Sequence, residues 1–177
     1  MTIAVIGATG NLGRALMNMP NTIACPIRFE DADNFEQWFE ENKNVDTVWY
    51  IARACRKTGV RRSVDTFMLE QNAMLKLLET RAKDCRFVYA SSKIVYGLGG
   101  VSDNPAEVLT VEEVAKQFKD TKVGVYNCPE WQETHTLDIS RLDNQRTIYA
   151  TTKLANENLV SKYCSNFKII RIWDILL

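Results

Sequence analysis

Three glycines, Gly7, Gly10 and Gly13, lie in GATGNLG directly after the apolar run 3–6. Glycines at this point allow a tight turn and let the backbone approach a pyrophosphate. The N–H groups and partial positive charge of a following helix N-terminus then meet the negative charge. Tyr149 and Lys153 stand four residues apart in YATTK, so on a helix they share one face. An ammonium beside a phenol favours the phenolate and draws the tyrosine towards working pH, an effect worth about 1–3 pKa units at contact. A carboxylate after a second strand accepts hydrogen bonds from a ribose diol, whereas an arginine there suits a 2′-phosphate. IRFEDAD, residues 27–33, offers Arg28, Glu30, Asp31 and Asp33 for that place. The plain alternatives are a glycine turn, a half-buried aromatic at a helix start, a solvated lysine and a surface charge cluster.

Short apolar runs alternate with helical periodicity along the chain, and this alternation must position those groups. Strands are predicted at 3–6, 22–29, 45–52, 86–90 and 168–173, and helices at 12–19, 34–42, 66–81, 110–118 and 149–163. Pro20 stops the first helix, and Thr110 followed by Glu113 has capping-box spacing. Strands alternating with helices imply a parallel sheet covered on both faces. The stretch 97–143 holds Gly99, Gly100, Gly124, Pro105 and Pro129 with one helix, and reads as an insertion over the C-terminal strand ends.

A chain of 177 residues is one domain. Twenty-two basic residues balance 22 acidic ones, which leaves no electrostatic footprint for nucleic acid or an anionic membrane. No apolar run approaches membrane-spanning length, and the N-terminus reads as a strand, not a signal peptide. Five scattered cysteines (Cys25, Cys55, Cys85, Cys128 and Cys164) form no CxxC. They read as small core residues of a reducing, cytoplasmic compartment. The lone His135 lies in a polar stretch without metal-ligating partners, so no metal site is expected.

GATGNLG, YASSKIVYG at 89–97, YATTK followed by Glu157, VDTVWYIA at 45–52, Asn72 and IIRIWD at 169–174 fall in the order of one family's motifs. Together they resemble the extended short-chain dehydrogenase/reductase, or NAD-dependent epimerase/dehydratase, family, over most of the chain outside 98–130. The resemblance implies a three-layer α/β/α Rossmann-type fold, a mostly parallel sheet, and a single NAD(P)-binding domain over 1–177 with an insertion at about 98–130. It implies cofactor contacts from Gly7, Thr9, Gly10, Asn11, Leu12, Gly13, Ala52, Tyr149 and Lys153, and from Arg28 or an acid at Glu30 or Asp31. It assigns Tyr149 as general acid/base, Lys153 to the nicotinamide ribose and to tuning Tyr149, and Ser92 to the reacting oxygen. Tyr96 packs near the substrate or in the core, and Ser91 is expected to be held by backbone contacts. A homodimer through helices 66–81 and 149–163 is a further implication.

Three departures from the family pattern stand out. The chain stops just beyond KIIRIW, where the family continues into its substrate region. Only about ten residues separate the first two helices, where the family has two strands. Arg53 stands where the family has a small alanine, placed to touch a phosphate or to obstruct the site. The expected function is NAD- or NADP-dependent epimerase, dehydratase or reductase chemistry on a nucleotide-linked sugar or related hydroxyl/carbonyl compound. The alternatives are a non-catalytic dinucleotide-binding or regulatory module and an interaction protein that keeps only the fold.

Overall fold

The computed structural model describes residues 1–53, 64–98, 108–119, 122–128, 137–140 and 142–176. β1 (Thr2–Ile6) is buried along nearly its whole length, as a strand covered on both faces must be. It pairs in parallel with β2 (Thr22–Cys25) on one side and β3 (Val45–Tyr50) on the other. β4 (Arg86–Ser92), β7 (Phe167–Ile172) and β6 (Gly124–Cys128) extend the sheet to the order β2-β1-β3-β4-β7-β6, every pair parallel. Two short strands, β5 (Val108–Thr110) and β8 (Asp174–Leu176), form a separate parallel pair.

Side chains alternate across each strand, and the alternation sorts the core into two layers. Ile6, Val48, Tyr50, Phe87, Tyr89 and Ile169 face α2 (Phe35–Glu41), α3 (Val64–Glu79) and α5 (Asn144–Tyr163). Val5, Trp49, Val88, Ala90 and Ile170 face α1 (Asn11–Met17) and α4 (Val111–Gln117). The architecture is a three-layer α/β/α Rossmann-type fold.

Several boundaries differ from the sequence-based expectation. β2 ends at Cys25 because Pro26 has no N–H for the ladder, and Phe29–Asn34 forms a 3-10 turn instead. Among the described residues no strand lies beyond β2, which is the sheet edge. α5 begins at Asn144, five residues early, because Asp143 caps it by accepting the Arg146 N–H at 2.9 Å. Tyr149 therefore stands in the second turn and not at the helix start. The capping box of Thr110 and Glu113 is formed.

The described part of the expected insertion supplies α4 and β6. It completes one helical layer and pairs along the outer side of β7. Lys168, 1% exposed, ties these pieces together. Its ammonium donates to the Gln117 carbonyl at 2.7 Å, at the negative end of α4, and lies 4.8 Å from the Tyr126 ring centroid.

Cys25, Cys85 and Cys164 are free and buried. Burial pushes the Cys25 and Cys164 thiols up to about 12 and raises Cys85 as well. Cys55, His135, Gly99, Gly100, Pro105 and Pro129 lie outside the described residues. A thiol reacts as its thiolate. Maleimide at pH 8 should therefore leave Cys25, Cys85 and Cys164 unmodified in the folded chain and modify all three in denaturant, as read by peptide mapping.

Candidate functional site

The order of the sheet reverses at β1, whose neighbours β2 and β3 run away from it on opposite sides. In open α/β sheets, ligands bind in the crevice outside the strand ends at such a reversal. The glycine loop leaves β1 at this point. Gly7 has φ +100°, and a Cβ there would lie 2.7 Å from the Ala52 backbone nitrogen, so the loops after β1 and β3 touch. A Cβ on Gly13 would lie 2.3 Å from the Gly7 carbonyl oxygen, so α1 can close on the loop only without one. A Cβ on Gly10 would meet only that oxygen, at 3.7 Å. The chain's own packing therefore does not require glycine at Gly10, and the space beside it is open. Arg14 braces the loop by donating to the Thr9 carbonyl at 2.9 Å and to the Asn11 side chain.

A cleft of about 210 Å³ opens beside this loop, lined by Leu12, Ile51 and Arg53 from the β1 and β3 ends, and by Ser92, Tyr149, Lys153 and Trp173. Three residues expected to do chemistry thus share one cavity. Lys153 is 3% exposed, and its ammonium donates to the Ala90 carbonyl at 2.8 Å and lies 5.6 Å from the Tyr149 ring centroid and 5.0 Å from that of Tyr89. Ser92 ends β4, and its hydroxyl accepts the Ile94 N–H at 3.3 Å. Arg28 and Asp31 are exposed around the 3-10 turn after β2, as is Glu30, away from this cleft. Asp33 is drawn to Lys76 on α3, at 3.1 Å. Asn72 is exposed on α3, and the helix's inward-facing acid is Glu70, two residues earlier.

Beneath the cleft lies a buried network that sequence reasoning missed. Ser91 and Arg171 are register partners on β4 and β7. Ser91 is not held by backbone contacts: its hydroxyl donates to the Glu157 carboxylate. Arg171 donates to the same carboxylate at 2.8, 3.1 and 3.3 Å and to the Tyr96 hydroxyl at 2.6 Å. Burial opposes the charge on Arg171, but Glu157 and Tyr96 outweigh it and hold the guanidinium charged. Tyr96 is a core residue, 3% exposed, stacked on Trp173. One turn away, Gln71 donates to Asn156 at 2.9 Å and Asn156 to the Tyr89 hydroxyl at 3.2 Å. Burial, chiefly, raises the Tyr89 phenol well above its ordinary range, so it stays neutral. The sequence signal for the pair was an arginine inside the apolar strand IIRIW, which needs a buried acid as counter-ion.

The family model for the NAD dependent epimerase/dehydratase family matches residues 3–173. The chain belongs to this family. Its solved structural relatives include a dTDP-4-dehydrorhamnose reductase from Clostridium acetobutylicum, 20% identical with a TM-score of 0.55, covering 97% of this chain and 52% of that one. The dTDP-4-dehydrorhamnose reductase from Bacillus anthracis, in complex with NADP, is 16% identical with a TM-score of 0.54, covering 98% and 54%. UDP-glucose 4-epimerase from Thermotoga maritima, with UDP-glucose, is 15% identical with a TM-score of 0.55, covering 97% and 55%. At these identities the likeness is one of fold, and the chain spans about half the length of these family structures. No curated protein matched. Among the described residues no group of three His, Cys, Asp or Glu side chains could hold a metal, and no helix is long and apolar enough to cross a membrane.

Breaking one side of a buried ion pair leaves an uncompensated charge, whereas replacing both partners by apolar groups is often close to neutral. Glu157→Gln should therefore destabilise the chain by about 3–5 kcal/mol. Adding Arg171→Met should recover most of that loss, as measured by urea denaturation in a double-mutant cycle.

Proposed function

We propose that this family member binds NAD or NADP across the β1/β3 crevice and carries out epimerase-, dehydratase- or reductase-type chemistry on a hydroxyl or carbonyl of a sugar-type substrate. The observation that carries this reading is the convergence of Ser92, Tyr149 and Lys153 on one cleft that adjoins the glycine loop. The residues present fit a dinucleotide, since the loop is closed by Gly7 and Gly13 and left open at Gly10. Gly7, Thr9, Gly10, Asn11, Leu12 and Gly13 would hold the pyrophosphate, with Ala52 closing the opposite wall. The exposed Arg28 and the neighbouring acids Glu30 and Asp31 leave both ribose chemistries open.

When bound, a nicotinamide ring supplies the hydride acceptor or donor. The remaining work falls to the chain. Tyr149 gives or takes the proton of the reacting oxygen. The Lys153 ammonium, fixed on the Ala90 carbonyl, stabilises the negative charge that develops on the phenol oxygen during that transfer. Ser92 steadies the substrate oxygen by hydrogen bonding. A cleft of about 210 Å³ is below the ~300–1,000 Å³ of a typical small-molecule pocket. It takes the reacting groups and leaves the rest of a bulky substrate outside. The same small volume favours a second reading, a dinucleotide-binding module without turnover.

Calorimetry with NAD⁺, NADH, NADP⁺ and NADPH tests the binding that both readings share, and a hydride-transfer assay separates them. Gly10→Ala should keep the melting temperature and weaken binding by about tenfold or more, since its methyl group enters the open space beside the loop. Tyr149→Phe should bind like the parent chain and lose about 10²–10⁴-fold in hydride transfer with a nucleotide-sugar panel. Binding without transfer in the parent chain would favour the module.

The face shared by α3 and α5 bears a groove of about 710 Å³ lined by Gln71, Leu75, Leu159 and Tyr163, with Leu75 41% and Tyr163 53% exposed. We assign this face to a homodimer. Sedimentation velocity should show a dimer that Leu75→Glu converts to a folded monomer.

A further inference from the structure

We propose that Arg53 is the specificity-determining residue of the cleft and that it takes a carboxylate or phosphate carried by the substrate close to its reacting carbon. The inference rests on the functional reading above and deepens it. Arg53 follows β3, lines the cleft shared with Ser92, Tyr149 and Lys153, and is exposed. It makes no hydrogen bond or ion pair among the described residues.

The other cation of the cleft is already engaged. Lys153 is buried, donates to the Ala90 carbonyl at 2.8 Å and packs against two tyrosine rings. The nearby acid is engaged too, because the Glu157 carboxylate is saturated by Arg171 and Ser91. Among the described residues no Asp or Glu lines the cleft. Two positive charges without a negative one, between apolar walls of Leu12, Ile51 and Ile175, focus a positive potential into a small space. A guanidinium presents its donors in a planar fork that matches a carboxylate or phosphate bidentately.

Two anions could answer this potential: the cofactor's own pyrophosphate and a charged group of the substrate. The position of the cleft favours the substrate. Leu12 is the one residue of the glycine loop that lines it, while the remaining walls come from the ends of β3, β4 and β7, from α5 and from β8. Arg53 therefore faces the reacting end of the site. A substrate with a negative group near its reacting carbon, such as a uronic acid or a sugar phosphate, satisfies it. A neutral sugar offers the guanidinium no counter-charge.

The experiment follows the Arg53 Nε–H resonance of the ¹⁵N-labelled chain, assigned by its disappearance in Arg53→Gln. Glucose, glucuronate and glucose 6-phosphate are titrated with and without saturating NADH. Glucuronate or glucose 6-phosphate should shift the resonance saturably, and glucose should not. Arg53→Gln, read on the remaining cleft resonances, should weaken that binding by about tenfold or more, and NADH affinity should be unaltered. Equal responses to glucose and glucuronate, or no response to either anion, would overturn the proposal. So would loss of anion binding on adding NADH together with a tenfold drop in NADH affinity in Arg53→Gln, because Arg53 would then serve the cofactor. If the anions bind and no dinucleotide does, the anion site stands and the dinucleotide reading fails. If NADH binds and the anions do not, this inference alone fails.

Discussion

The site depends on how α5 is seated against the C-terminal end of β4. Lys153, Asn156 and Glu157 follow the i, i+3, i+4 spacing of one helix face. They meet three consecutive strand residues: the Ala90 carbonyl, the Tyr89 hydroxyl and the Ser91 hydroxyl. Each of these contacts is buried, so a shift of the helix by one residue would strand several polar groups away from water at once. Arg171 reaches Glu157 from the neighbouring strand and ties the same helix to β7. The helix is thereby fixed in position along the sheet as well as in distance from it. Tyr149 inherits its place from this arrangement, one turn above Lys153 and over the cleft that Ser92 borders.

A second constraint acts from the other side. Gly7 and Gly13 bring β1, the loop after β3 and α1 closer together than any side chain would allow. The cleft is what remains between these two rigid parts, and its polarity follows from their contents. The acid that α5 brings nearest is turned down into the core by Arg171, so among the described residues the cleft is lined by cations and by no acid. A neutral chain can in this way present a locally positive site.

The sequence made much of this legible, for local reasons. β1, β3, β4 and β7 carry short apolar runs with clear ends, and the glycine loop follows its strand directly. Thr110 and Glu113 announced their cap through spacing alone. Other features were hidden because their causes are not local. The residues Asn144–Ile148 carry almost no apolar periodicity, and only the capping side chain of Asp143 starts α5 there. β6 is a short GVYNC stretch whose pairing with β7 depends on sheet order. The Glu157–Arg171 pair spans 14 residues and is created by strand register, which no helical spacing reveals. Lys168 opens the expected strand 168–173, and the α4 terminus that receives it lies 51 residues earlier. For the site, Ser92, Tyr149 and Lys153 were named from motif order, while their sharing one cavity required the fold.

The order of the strands also bears on how the chain is made. β7 lies between β4 and β6, yet it leaves the ribosome after both. Without residues 167–172, β4 would lack its partner on that side, β6 would have no strand partner, and Glu157 would lack Arg171. Such unpaired edges are where growing chains associate wrongly. Seating this one late strand therefore both completes the sheet and brings Arg171 to the buried Glu157 carboxylate.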